Sequence, residues 1–108
     1  MANYTLIESR DLFESREAAH CCDLAVQLKM AGNDVTLFLV QNGVLSARSG
    51  AASETVGRVV AEGVAVLADA FSLRERGLVP KQLVTGVQPA EIDVIVDHLS
   101  EGNKVIWQ

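Results

Sequence analysis

Apolar positions along this chain follow two rhythms in turn, the short continuous or alternating runs of strands and the three-to-four-residue recurrence of helices. Tyr4–Glu8 is short, β-branched and apolar, and predicts a strand. Asp11 followed by Glu14 has the spacing of a capping box, opening a helix that runs to about Ala31 and stops at Gly32. At about 100° per residue, Ala18, Cys21, Cys22, Ala25, Val26 and Leu28 gather on one side of that helix, with Arg16, His20, Asp23 and Gln27 on the other. Val35–Val40 is nearly all apolar, as in a strand covered on both faces. A second helix fits Ala51–Glu62, with Val56, Val59 and Val60 inward and Gly63 closing it, and Val64–Ala68 is the next buried strand. Asp69 is placed to cap a short helix ending at Arg76 before Gly77. Leu83–Thr85 is a further strand candidate. Pro89 suits the first position of a last helix, with Ile92, Ile95 and Leu99 behind it and Gly102 as its stop. Lys104–Trp107 closes the chain as a strand. This alternation implies a parallel sheet with helices on both faces, in a single domain over residues 1–108.

Composition narrows the function classes. The 108 residues are 49% apolar, enough for one core and, at 11.6 kDa, enough to expect apolar surface left for self-association. Nine basic against fourteen acidic residues give a net charge of −5, which argues against nucleic acid or an anionic membrane as partner. No run of about 18 apolar residues spans a bilayer, and Met1–Tyr4 lacks the features of a signal peptide, so a cytoplasmic location is expected. Two adjacent cysteines cannot build a disulfide framework. Neither Gly-x-Gly-x-x-Gly nor a Walker-type Gly-Lys-Ser/Thr occurs, and no cofactor is expected.

Three sets of residues could carry chemistry. His20-Cys21-Cys22-Asp23 has metal-binding residue types, but neighbours on a helix radiate about 100° apart, so no metal site is expected. Cys21 and Cys22 read as small core residues on the apolar stripe. The alternative is that one lies at the helix flank as a reachable thiol, with only His20 and Arg16 near enough in sequence to favour the thiolate. The carboxyl ends of parallel strands are where ligands sit. Those ends carry Ser9-Arg10, then Gln41-Asn42-Gly43, then Asp69 with Ser72. Asn42-Gly43 is a hairpin signal, but Val44–Ala47 makes a poor returning strand. Asn42, Gly43, Asp69 and Ser72 therefore have turn and cap duties, or else form a small polar pocket in which helix N-termini offer amides to an anion. His98 reads as a solvated helix-face histidine, its alternative being a Cys-His pair with Cys21 or Cys22. Arg74 and Arg76 suit the positively favoured end of their helix.

The run Leu37-Phe38-Leu39-Val40-Gln41-Asn42-Gly43-Val44 resembles the hydrophobic strand and Gln-Asp/Asn-Gly-Val turn of the DsrE/DsrF/DsrH-like (TusB/TusD-like) sulfur-relay proteins. Val64–Asp69 followed by Leu73-Arg74-Glu75-Arg76-Gly77-Leu78 is similar to that family's third strand and Arg-Gly-ended helix, and Lys104–Trp107 resembles the closing strand of the DsrH/TusB branch. The resemblance implies a three-layer α/β/α sandwich with a five-stranded, mostly parallel sheet. It further implies homo-trimers or hexamers, or hetero-oligomers with related subunits, and a sulfur-donor protein as partner. In carrying members a cysteine near the end of the third strand accepts persulfide sulfur; this sequence places Asp69 there and has no cysteine after Cys22. Any activity is therefore sulfurtransferase-like at most, with Cys21 or Cys22 as displaced sulfur carriers. The DsrH-like ending favours the other outcome, an accessory subunit or a small-ligand-binding module that carries no sulfur.

Overall fold

The computed structural model describes residues 2–12, 15–50 and 53–107. Its strands are β1 (Asn3–Glu8), β2 (Asp34–Leu39), β3 (Ala65–Asp69), β4 (Gln88–Ala90) and β5 (Lys104–Trp107). Its α-helices are α1 (Arg16–Met30), α2 (Ser53–Ala61), α3 (Ala70–Glu75) and α4 (Asp93–Ser100), and a 3₁₀ segment covers Gln41–Ala47. All pairings are parallel, in the order β4-β3-β2-β1-β5. The fold class expected from the sequence is the one found.

Topology follows from the handedness of the crossovers. The chain steps in one direction from β1 to β4, then returns past β1 to place β5. Right-handed crossovers put the helices of the outward steps on one face and the helix of the return step on the other. The core divides accordingly. Leu6, Leu37, Leu39, Val66 and Ala68 point to one face and pack with Cys21, Ala25, Val56, Val59 and Leu73 from α1, α2 and α3. Ile7, Phe38 and Val40 point to the other face and meet α4 through Ile95. The register pairs Leu6 with Leu37 and Ile7 with Phe38, so each face of the central pair is apolar, as the unbroken sequence runs require. Among the described residues, one face is thus covered by three α-helices and the other by one.

Several expectations need correction. The first helix does not open on Asp11; Ser15 caps it, its Oγ accepting the Glu17 N–H at 3.1 Å. Asp11 instead accepts a hydrogen bond from Ser46 Oγ at 3.0 Å, so the acidic spacing serves a loop-to-loop contact; Glu14 lies outside the described residues. The second helix is described only from Ser53, residues 51 and 52 lying outside. Leu83 makes an isolated bridge to Arg48, and the fourth strand is Gln88–Ala90. Pro89 therefore stands in a strand and not at a helix start, tolerated because β4 is an edge with one side unpaired. The last helix begins at Asp93, and of the three apolar residues expected behind Pro89 only Ile95 is buried.

That difference is measurable on one helix. Ile95→Ala should cost about 2–5 kcal/mol in chemical denaturation. Leu99→Ala, at a side chain 57% exposed, should change stability by no more than about 0.5 kcal/mol. Equal losses would contradict the docking of α4 through Ile95.

Candidate functional site

Because all strands run the same way, their carboxyl ends meet at one edge of the sheet, and the loops leaving β1, β2 and β3 lie side by side there. A chain of hydrogen bonds joins them. Asp69 ends β3 and caps α3: its Oδ2 accepts the Ser72 N–H at 3.1 Å and the Ser72 hydroxyl at 2.7 Å. Ser72 Oγ in turn accepts the Gln41 N–H at 2.8 Å. Gln41 is held at φ +51°, in the left-handed region that a non-glycine residue adopts only under constraint. Arg76 completes the chain, donating from Nε (3.2 Å) and Nη2 (3.0 Å) to Asn42 Oδ1 and from Nη1 to the Ser72 carbonyl at 3.2 Å. Asn42, Asp69 and Ser72 are thus brought together as the sequence suggests. Gln41, named with them at the strand end, joins through its backbone N–H, whereas the Arg76 bridge is not legible there, since Arg76 and Asn42 are 34 positions apart and only the fold joins them.

Gly43 joins the cluster as backbone. Its N–H donates to the Ser9 and Val40 carbonyls at 3.1 and 2.8 Å. A Cβ there would stand 2.3 Å from the Glu8 carbonyl oxygen, so the 3₁₀ segment can pass the end of β1 only with glycine at this position. The amide expected to face an anion is therefore already engaged.

Two recesses flank Gln41. One, of about 300 Å³, is lined by Ser9, Arg10, Gln41 and Asn42 and is almost wholly polar. The other, of about 380 Å³, is mostly apolar, with Val40, Phe71, Ile92 and Trp107 in its lining together with Asp69, Ser72, Glu75 and Glu91. Trp107 and Phe71 are 63% and 57% exposed, and the sequence pattern, which reads Trp107 as the end of a closing strand, gives no sign of this cleft. A third recess of about 320 Å³ lies at the opposite end of the sheet, where His98 shares its lining with Lys29 and Asp34. His98 stands on its helix half-buried: its Nδ1 is 2.7 Å from Thr5 Oγ1, which ties α4 to β1. Thr5 lies on the α4 face of the sheet and Cys21 packs on the other, so His98 and the cysteines are not brought together.

Both thiols face the core. Cys21 is 1% exposed and Cys22 4%, while His20 and Asp23 beside them are exposed, the radiating arrangement that helix geometry dictates. Burial is the first cause that pushes the Cys21 thiol up to about 12, with the nearby Glu8 carboxylate next. Cys22 is pushed up to about 11, again by burial first and then by Asp23 and Glu8. Glu8 is itself 2% exposed. Its Oε2 accepts the Arg10 N–H at 3.0 Å, and its Oε1 meets no hydrogen-bonding N–H or O–H among the described residues. Burial raises the Glu8 carboxyl above the ordinary carboxylate value against the lowering pull of the Arg10 and Ser9 amides, and Glu17 adds to the rise. Burial and the neighbouring carboxylates hold both thiols protonated, the opposite of an activated nucleophile.

Comparison with known proteins places this architecture. The model of the DsrE/DsrF-like family matches residues 3–107. The YchN protein of E. coli superposes with a TM-score of 0.90 over 100% of both chains at 18% identity. MTH1491 of Methanobacterium thermoautotrophicum, a protein of unknown function, superposes at 0.85 over 100% of both at 19% identity. BT1422 of Bacteroides thetaiotaomicron, a conserved protein of unknown function, gives 0.81 over 98% of this chain and 94% of its own at 14% identity. No curated protein matches the sequence.

The raised Glu8 carboxyl has a pH consequence. A group protonated more readily in the folded than in the unfolded chain contributes stability that is complete below its unfolded value, 4.5, and lost as pH rises through the folded one. Denaturation midpoints should therefore fall less steeply with pH above 4.5 in Glu8→Gln than in the parent. Parallel pH profiles for the two would contradict the assignment.

Proposed function

This chain belongs to the DsrE/DsrF-like family, and from that premise we propose that it serves intracellular sulfur relay as an accessory subunit, leaving the carriage of persulfide sulfur to a partner. The observation that carries this reading is the end of β3. Asp69 stands where the family resemblance places the accepting cysteine of carrying members, and its carboxylate is engaged by the Ser72 amide and hydroxyl. A carboxylate holds no persulfide. The thiols that would have to replace that cysteine are buried on α1 and held protonated, whereas accepting sulfur requires an accessible thiolate.

An accessory subunit needs a surface for its partner. Phe71, Ile92 and Trp107 line one cleft, and Val96 and Leu99 follow Ile92 at helical spacing along α4; all five are large apolar residues left in solvent. Apolar groups displayed together in this way mark protein–protein contact. The reading assigns that surface to assembly with further copies, as a homo-trimer or hexamer, or with related subunits, and expects a sulfur-donor protein in the same relay. No helix among the described residues is long and apolar enough to cross a membrane.

The test is intact-protein mass spectrometry after incubation with a cysteine desulfurase, free cysteine and a sulfur-carrying member of the family. Reductant-labile sulfur is expected on the carrying member and none on this chain, with the two proteins co-eluting and transfer to the carrier altered when this chain is left out. Reductant-labile sulfur mapped to Cys21 or Cys22 would overturn the accessory role. Transfer unchanged without this chain would remove it from the relay.

A further inference from the structure

The polar recess beside Gln41 has a chemistry that the accessory role does not use. Its lining is Ser9, Arg10, Gln41 and Asn42. An amide side chain offers an acceptor oxygen and a donor nitrogen, and here the two ends are sorted by a neighbour. Arg76 donates twice to Asn42 Oδ1, so the oxygen is taken and the Nδ2 hydrogens are the end left to a ligand. Among the described residues nothing accepts from Asn42 Nδ2. The Arg10 guanidinium, exposed beside it, likewise has no salt-bridge partner among the described residues. The backbone of Arg10 is fixed from beneath, its N–H donating to the buried Glu8 carboxylate. Two of the chain's nine cations thus attend Asn42, Arg10 by sharing its recess and Arg76 by bonding its oxygen, in a protein whose net charge is −5.

The wall that carries these donors is rigid for separate reasons. Gln41 is held in the left-handed region by the Ser72 hydroxyl, Asn42 is clamped by Arg76, and Gly43 is wedged against the Glu8 carbonyl. Over-determined backbone next to a recess that holds the Asn42 amide nitrogen and the Arg10 guanidinium is the arrangement of a ligand clamp, because donors fixed in advance lose little freedom when the ligand arrives.

We propose that this recess binds a small tetrahedral oxyanion, with the Asn42 amide nitrogen and the Arg10 guanidinium as its donors and Arg76 as the group that orients Asn42. Charge-assisted bonds from a fixed amide and a guanidinium suit a sulfur or phosphorus oxyanion alike, and a volume of about 300 Å³ leaves room for a substituent on it. This differs from the pocket that the sequence suggests: the donors are side chains and not helix N-termini, and Asp69 and Ser72 lie on the far side of Gln41 as supports. The site stands whether or not the chain takes part in sulfur transfer.

Sodium thiosulfate, sulfate and phosphate, each titrated at constant ionic strength into the ¹⁵N-labelled protein, test this directly. Saturable shifts are expected at the Ser9, Arg10, Gln41 and Asn42 backbone amides and at the Asn42 side-chain NH₂. The anion bound most tightly then separates a sulfur oxyanion from a phosphate as the source. Arg10→Ala, at an exposed side chain, should weaken binding about ten- to hundredfold. Asn42→Asp keeps a partner for Arg76 but replaces the donor with an acceptor, and should abolish binding. Lys81→Ala, at an exposed cation elsewhere, should leave it unchanged. Shifts that stay linear for all three anions, or equal weakening by Lys81→Ala and Arg10→Ala, would overturn the proposal.

Discussion

The parallel direction of all five strands is the constraint from which the rest of this molecule follows. Parallel strands need crossovers, crossovers have one hand, and the return to β5 therefore sends a single helix to the face opposite the other three. The same direction collects every strand's carboxyl end at one edge, where the backbone turns away from the sheet and its polar groups need new partners. The bonds from Asp69 through Ser72 to Gln41, and from Arg76 to Asn42, supply them. The crevice is thus first a solution to the problem of ending three strands together. Its two recesses are what remains on either side of that solution.

This ordering explains why residues that suggest chemistry in isolation do other things in the fold. Asp69 occupies the position of greatest functional promise on a parallel sheet, yet both of its interactions terminate a strand and start a helix. The cysteines have the reactive residue type, but helix periodicity turns them onto the core with Glu8 for a neighbour. Chemistry at this edge then falls to groups that no described residue pairs, the Asn42 amide nitrogen and the Arg10 guanidinium, and to the exposed aromatic rings of Phe71 and Trp107.

How far the sequence discloses this depends on the range of each interaction. Long apolar runs bury on both faces, so β1, β2 and β3 are legible to within a residue or so, and the helical stripe of Ala18, Cys21, Cys22, Ala25 and Val26 is buried as its period requires. The Asp69 cap is legible because it acts over three residues. Pro89 misleads because it suits both a first helical position and an edge strand, and β4 has only three residues in which to display a period. Asp11 misleads because its partner, Ser46, lies 35 positions away. The apolar residues of α4 and β5 have the right period for burial but too little protein above them, which no local pattern records. The donors of the polar recess, Arg10 and Asn42, are legible as strand-end residues, but the orientation of Asn42 is not, since a residue distant in sequence sets it.

The central claim is that both thiols belong to the core and that the crevice works without them. Alkylation by iodoacetamide, followed cysteine by cysteine by mass spectrometry across a denaturant series, measures this most directly. Modification of Cys21 and Cys22 should be negligible in native buffer and should rise together with global unfolding, as the opening needed to expose them is that of the core itself. Modification of either cysteine in native buffer at the rate of an unstructured thiol would contradict the account.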